Sequence, residues 1–185
     1  MPIRQWTEEE DKFCELILYI SQQCAMDRKF GATKLNNILY FSDFQSYAYL
    51  GRPITGFEYQ KLPNGPAPRK FLSVRDKMVK IGILGLQEIL LSSGKIQKRT
   101  VNLRCPNLKV FSGEEIAIVD RVIDVLRDAD ADTVSELSHA KVGWIVANLK
   151  ETIPYETVFL SGEPLSEEDI QRGLEVAREY DLVGA

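Results

Sequence analysis

The sequence predicts a mainly helical α+β fold, a single helical domain that also carries a small antiparallel β-hairpin or sheet. Apolar residues recur at helical spacing in several segments. In contrast, residues 83–91 and 96–104 resemble two β-strands, and the turn residues Ser92, Ser93 and Gly94 join them as in a hairpin. A chain of 185 residues fits one domain.

The first helix is predicted over about residues 8–25. Thr7 and Glu10 have the spacing of a capping box, and the acidic residues of this turn suit the positive end of a helix. Apolar side chains then form one stripe, made of Phe13, Leu16, Ile17, Ile20 and Cys24. Gly31 breaks this helix.

The second helix is expected to begin at the cap Thr33, to run to about Leu50 and to stop at Gly51. It is apolar nearly all round, which is typical of the central helix of a domain. One face differs, since it carries the polar stripe Asn36, Tyr40, Asp43 and Tyr47. Together with Tyr59, this stripe forms either a recognition groove or a buried polar network that holds the following segment in place.

That following segment, residues 52–68, holds four prolines and two glycines and is predicted to form turns and short extended pieces. Residues 69–81 are predicted to be helical, with Phe71, Val74, Met78 and Ile81 on one side. Because the β-hairpin comes next, this part of the chain is similar to a winged helix.

The remaining residues predict four further helices. Ser112 and Glu115 cap a helix whose inward residues are Ile116, Val119, Val122, Ile123 and Leu126. After an acidic turn at residues 128–132, short helices follow at about 133–139 and 142–150. Ser166 caps a last helix over about residues 166–181.

Charge is distributed unevenly along the chain, although the net charge is only −4. Residues 69–109 hold ten basic and two acidic side chains, whereas residues 110–185 hold six basic and seventeen acidic ones. The basic segment is either a solvated or self-paired surface, a contact for a partner protein, or a nucleic-acid contact. Its candidate contact residues are Arg69, Lys70, Lys98 and Arg99.

No sequence pattern predicts a catalytic site, a metal site or a cofactor site. The only histidine, His139, lacks partners for a zinc site, so it either packs near Trp144 or makes a polar contact with a partner. The acidic run around residues 124–132 lacks the glycine and glutamate of a calcium loop, and no phosphate loop occurs. Three cysteines and no apolar stretch long enough to span a membrane favour a reduced, cytoplasmic setting.

Two blocks of residues have the order and spacing of one known family. The first comprises Lys34-Leu35, Ile38-Leu39, Tyr40-Phe41-Ser42-Asp43, Gly51-Arg52-Pro53-Ile54-Thr55-Gly56, Tyr59 and Gly65-Pro66. The second comprises Glu136-Leu137-Ser138-His139, Trp144 and Ile153-Pro154-Tyr155-Glu156. Both resemble the Panacea domain of the SocA-like antitoxin family, which also occurs in phage proteins of the GepA type. The resemblance covers about residues 10–160 and implies a single domain with its core there. The chain departs from the family pattern at Asn64, where an aromatic residue is expected, and at Val142-Gly143.

The resemblance implies a cytoplasmic bacterial or phage protein that neutralises a cognate toxin by direct contact and is not an enzyme. Members of this family share the domain but meet different toxins. The resemblance also implies an alternative, in which the protein is an adaptor that delivers the toxin to a ClpXP-type protease. A nucleic-acid-binding regulator that uses residues 69–109 is the third hypothesis. The candidate partner contacts are Tyr40, Asp43, Tyr59, Asn64, Arg69, Lys70, Lys98, Arg99, His139 and Trp144.

Overall fold

A computed structural model of the chain describes residues 6–160 and, beyond them, residues 168, 171, 172 and 175. In chain order, residues 6–160 form α1 (Glu8–Gln23), α2 (Ala32–Leu50), β1 (Tyr59–Leu62), β2 (Gly65–Pro68), α3 (Phe71–Lys80), β3 (Leu84–Leu90), β4 (Ile96–Asn102), α4 (Gly113–Leu126), α5 (Ala131–His139), α6 (Val142–Val146) and β5 (Thr152–Ile153). Short 3-10 helices occur at Leu108–Val110 and Tyr155–Phe159. The mainly helical α+β prediction is confirmed. The last predicted helix, about residues 166–181, lies outside the fully described part of the chain.

Helix α1 begins as its sequence predicts. The Glu10 N–H donates to Thr7 Oγ1 at 3.1 Å, and the Thr7 N–H donates to Glu10 Oε2 at 3.2 Å, which completes the capping box. The predicted apolar stripe is buried, and Phe13 and Ile17 are fully inaccessible. Burial of this stripe against α2 and α4 holds α1 in the core.

Helix α2 is the central helix, since it contacts α1, α4, α5, β2 and β4. Gly51 ends it in the left-handed conformation, with φ of 70°, as expected of a glycine at that position. The prediction that Thr33 caps α2 is wrong. Gly31 is the capping residue, because its extended backbone opens the helix and its carbonyl accepts from the Leu35 N–H at 2.9 Å. Thr33 therefore lies inside the first turn.

Two separate antiparallel sheets flank the helices. One has the strand order β2-β1-β5, and Tyr59 of β1 pairs with Pro68 on one side and with Ile153 on the other. The other sheet is the predicted hairpin β3-β4, and it packs against α1 through β4. A buried hydrogen bond of 2.7 Å between Ser21 and Thr100 joins α1 to β4.

Helix α3 is slightly shorter than predicted and precedes the hairpin in the expected order. Phe71, Val74 and Met78 are buried, in agreement with the prediction. Ile81 differs, because the helix has already ended there and its side chain is 39% exposed. The prediction that Ile81 lies in this helix, on the same side as the other three residues, is therefore wrong.

Helix α4 packs its apolar side inward, and Val119, Val122, Ile123 and Leu126 are buried. Ser112 and Glu115 form the predicted capping box of α4. Helix α5 begins at Ala131, earlier than predicted, because the Asp130 carboxylate accepts from the Thr133 N–H at 2.9 Å and caps it. Helix α6 ends at Val146 and not at residue 150, since Ala147 is extended.

The close packing of Gly143 in α6 gives the first prediction. A Cβ atom at this position would lie 2.3 Å from Thr157 Oγ1 and 2.8 Å from Ile153 Cγ2. We therefore expect Gly143→Ala to lower the free energy of unfolding by about 1–3 kcal/mol, because overpacking displaces neighbouring atoms. Urea unfolding followed by circular dichroism measures this change.

Gly113→Ala is the matched control, because Gly113 also lies in a helix, but a Cβ atom added there would have no other heavy atom within 4 Å outside its own helix turn. This control should leave the stability unchanged or raise it slightly. Equal stability of the two variants would contradict the close packing of α6 against β5.

Within the described residues, no helix is long and apolar enough to cross a membrane.

Candidate functional site

The carboxylate of Asp43 lies on α2, fully buried, and joins the helix to the segment that precedes β1. It accepts hydrogen bonds from the Thr55 N–H at 2.7 Å, the Thr55 hydroxyl at 2.5 Å and the Tyr59 hydroxyl at 2.7 Å. Burial raises the pKa of Asp43, whereas the hydrogen bonds from Thr55 and Tyr59 oppose that rise. Burial also raises the pKa of Tyr59, so its phenol remains a neutral donor.

Aromatic rings surround this carboxylate. The Tyr59 ring lies edge-on to the rings of Tyr40 and Phe44, each at 5.7 Å between centroids. The Tyr155 ring lies 4.7 Å from that of Phe44, and the Tyr155 hydroxyl donates to the Phe57 carbonyl at 2.6 Å. These rings exclude water from the carboxylate, which is why each of its hydrogen bonds matters to the fold.

Of the two alternatives for the polar stripe, the geometry favours the buried network. Tyr40 is 2% exposed, and Asp43 and Tyr59 are 0% exposed, so these three candidates do not lie on the surface of the described fold. Tyr47, at the outer end of the stripe, donates to Glu156 at 3.3 Å. The stripe therefore holds residues 54–59 and 155–156 against α2.

The turn between β1 and β2 lies against two helices. Gly65 has φ of 113°, and a Cβ atom there would lie 2.9 Å from Ser138 Oγ and 3.0 Å from Asn37 Nδ2. Only glycine fits this conformation and this close approach. The Ser135 hydroxyl donates to the Asn64 carbonyl at 2.9 Å, so the exposed Asn64 side chain sits at the edge of α5.

His139 and Trp144 are brought together next to this turn. Their rings stack at 3.9 Å with an angle of 19°, as the packing interpretation of His139 expects. Lys61 Nζ lies 4.0 Å from the Trp144 ring centroid and donates to the Ala147 carbonyl at 2.9 Å. His139 Nε2 is buried and lacks a hydrogen-bond partner among the residues that the structure describes.

Three large apolar side chains beside Trp144 are exposed. Ile145 is 57% exposed, Val146 is 63% exposed and Leu149 is 60% exposed. Together with Lys61, Asn64, His139 and Trp144, they form what we call the hairpin face. The name refers to the β1-β2 hairpin, not to the β3-β4 hairpin. Large apolar side chains that are exposed close together in the chain are a feature of sites that bind another protein.

Sequence reasoning missed Lys61, because its proximity to Trp144 depends on contacts between distant parts of the chain. The Lys150 N–H donates to the Lys61 carbonyl at 2.8 Å, and this contact brings residues 145–150 alongside β1. The exposed patch was also missed, since the predicted helix over 142–150 gave no reason for a surface cluster.

The other basic candidates lie away from the centre of this face. The Arg69 guanidinium donates to the Lys150 carbonyl and to Thr152 Oγ1, both at 2.8 Å, and so braces the β1-β5 edge. Lys70 is exposed at the start of α3. Lys98 lies 3.6 Å from Glu88, and Arg99 donates to the Ala25 carbonyl at 3.0 Å.

Many cations of residues 69–109 are therefore paired within the fold. Further pairs join Arg75 to Asp76, Lys77 to Glu10 and Arg104 to Glu15. Such pairing supports the self-paired interpretation of the basic segment over a surface free to bind phosphates. In the part of the chain that the structure describes, no group of three or more His, Cys, Asp or Glu side chains could hold a metal ion.

A helical scaffold with inward-facing polar residues and an exposed apolar face has the features of a protein-binding module. The comparison with known families identifies the class more narrowly. The chain belongs to the SocA-like antitoxin family, whose Panacea domain matches residues 35–145, from α2 to α6. No curated protein and no solved structure matches the chain.

Proposed function

We propose that this protein is an antitoxin that neutralises a cognate toxin by direct contact through the hairpin face, in the cytoplasm of a bacterial cell. The family match over residues 35–145 is the observation that carries this proposal. The matched region includes the scaffold around Asp43 as well as most of the hairpin face. In this scheme the buried residues around Asp43 maintain the scaffold, and the exposed residues of the hairpin face contact the toxin.

The chemistry of the face indicates which partner it fits. Ile145, Val146 and Leu149 offer apolar area that water solvates poorly. Lys61 and Lys150 lie beside them, and the Lys150 N–H donates to the carbonyl of Lys61 in β1. A toxin surface with an apolar centre and a rim of Asp or Glu side chains would complement this face.

Co-expression tests the function. The protein is produced together with each reading frame that lies next to its own gene, and both growth and complex formation are scored. We expect one neighbour to arrest growth when expressed alone, and we expect the protein to restore growth and co-purify with it. Continued arrest in the presence of the protein would contradict the antitoxin proposal.

The hairpin face makes a separate prediction. Ile145→Asp should weaken the complex by more than about tenfold and should abolish growth rescue, because it places a charge in the apolar centre of the contact. Affinity is measured by isothermal titration of the purified proteins, with unfolding temperatures compared to confirm that the variant is folded.

Leu90→Asp is the matched control, since Leu90 is also apolar and is 74% exposed, but it lies on the separate β3-β4 hairpin. The control should bind and rescue like the unaltered protein. If Leu90→Asp weakened binding and Ile145→Asp did not, the toxin would bind the β3-β4 sheet and not the hairpin face.

Delivery of the toxin to a ClpXP-type protease is distinguished from capture by the half-life of the toxin. Under capture, the toxin persists in the complex whether or not the protease is present. Under delivery, its half-life shortens only when both the antitoxin and the protease are present. Nothing in the described residues favours delivery over capture.

A further inference from the structure

A second apolar surface lies along α2, and its wall includes Tyr40 and Phe44, which also pack around the Asp43 network. Two adjoining hollows of about 180 Å³ each share Phe41, Gln45 and Lys141 in their walls. Their remaining walls come from α4, α5, α6 and the 3-10 helix after β5, and they include the exposed Val125 and Leu137. We call this surface the α2 groove.

The described walls of the α2 groove carry a positive charge. Within the described residues, Lys141 is the only charged side chain in its walls, and no carboxylate lines it. Val125 is 72% exposed and Leu137 is 44% exposed, so water contacts apolar area in the hollow that they share with Lys141. An occupant that complements the groove would have an apolar face and nearby Asp or Glu side chains.

The chain itself supplies a segment with these properties, directly after the groove. Leu160, the last residue of the continuously described part, lies in the wall of the groove. Residues 161–185 hold seven acidic and two basic side chains. Ten residues can span roughly 33 Å when extended, so a segment that begins near residue 170 is within reach of the groove.

Four positions in this segment are described by the structure, and all four are exposed. Residues 168, 171, 172 and 175 are helical and exposed, and their spacing places them on one side of a helix. The Gln171 amide also donates to the Glu175 carboxylate at 3.2 Å. In the sequence, Ile170, Leu174 and Ala177 occupy the positions that the same repeat places opposite these residues.

We propose that the α2 groove is the docking site of the chain's own segment 166–181, with Ile170 and Leu174 directed into the groove and acidic side chains near Lys141. The groove would then be covered by this segment and would not be the contact for the toxin. This inference goes beyond the antitoxin proposal and does not depend on it.

Cysteine cross-linking in the full-length chain tests the docking. In a Cys105→Ser background, Val125→Cys is combined with Leu174→Cys or with the control Gln171→Cys, whose side chain lies on the exposed side. The native Cys14 and Cys24 should not interfere, because burial raises the pKa of Cys14 to about 12 and that of Cys24 to about 11.

Under mild oxidation, the pair with Leu174→Cys should form a disulfide within one chain at least about tenfold faster than the control pair, since docking holds the two sulfurs close. Equal rates for the two pairs, or disulfides only between chains, would overturn the proposal. Maleimide labelling of Val125→Cys that slows only after a toxin is added would also overturn it, because the groove would then belong to the partner.

Discussion

Replacing Lys34 with methionine should lower the free energy of unfolding by about 3–5 kcal/mol. Lys34 is 1% exposed, yet its ammonium has three partners. It donates to Asp27 Oδ2 at 2.6 Å and to the carbonyls of Arg127 and Ala129, both at 2.9 Å. Without the cation, Asp27 would keep only its hydrogen bond from the Lys29 N–H, and both carbonyls would lose the ammonium in a partly buried place.

This single side chain joins three parts of the fold. Asp27 lies in the loop after α1, Lys34 lies in the first turn of α2, and the two carbonyls lie in the turn between α4 and α5. The methionine variant should therefore loosen the packing of α4 and α5 on α2 as well as lower the stability. Urea unfolding measures the loss, and amide hydrogen exchange of residues 126–134 shows where it occurs.

Lys29→Met is the matched control, because Lys29 lies in the same loop and donates to the Asp128 carbonyl at 2.6 Å, but is exposed. We expect it to change the stability by no more than about 0.5 kcal/mol. If both methionine variants lost the same amount, burial of the Lys34 ammonium would not be the cause.

The second large effect is expected at Asp43. Asp43→Ala should lower the free energy of unfolding by about 3 kcal/mol or more, because it leaves three buried donors on Thr55 and Tyr59 unpaired, each at a cost of about 1–3 kcal/mol. Tyr59→Phe should cost less, about 1 kcal/mol, because it removes one of the three donors and leaves the carboxylate paired with Thr55. Urea unfolding of the two variants and the double variant gives the coupling between them.

The effect of Asp43→Ala should also depend on pH. Burial raises the folded-state pKa of Asp43 above that of the unfolded chain, about 3.9. Stability from a raised pKa is fully present below the unfolded pKa and is lost as the pH rises through the folded pKa. The stability gap between the unaltered protein and Asp43→Ala should therefore narrow as the pH rises from about 4 to 7. A gap that widens over this range would contradict the raised pKa.

Asp76→Ala controls for the loss of an ordinary carboxylate. Asp76 is exposed and pairs with its neighbour Arg75 on α3. Its removal should change the stability by less than about 0.5 kcal/mol, because exposed ion pairs contribute little. A large loss of stability in Asp76→Ala would show that the loss in Asp43→Ala does not depend on burial of the carboxylate.

Local sequence patterns predicted most of the fold, since helices and hairpins are stabilised by residues close in the chain. The capping boxes at Thr7 and Ser112, the stop at Gly51 and the β3-β4 hairpin depend on residues a few positions apart. The errors occurred at helix ends. There, a backbone conformation at Gly31 or Ala147 decided the boundary, and the residue type alone did not reveal it.

The candidate site was less predictable, because contacts between distant residues create it. The stripe that contains Asp43 was visible in the sequence, but its burial depends on Thr55 and Tyr59, which no helical repeat connects to α2. The pairing of β1 with β5 joins Tyr59 to Ile153 and leaves no local pattern. The contact of Lys61 with Trp144 follows from that pairing and so remained hidden.

We propose that the polar residues around Asp43 build the scaffold, while the hairpin face binds the toxin. Hydrogen–deuterium exchange of the protein, alone and with the toxin that co-purifies with it, tests this claim most directly. We expect the toxin to slow exchange at residues 61–64 and 139–150 and to leave the β3-β4 hairpin, residues 84–102, unchanged. Protection confined to residues 84–102, with none at the hairpin face, would show that the toxin does not bind the hairpin face.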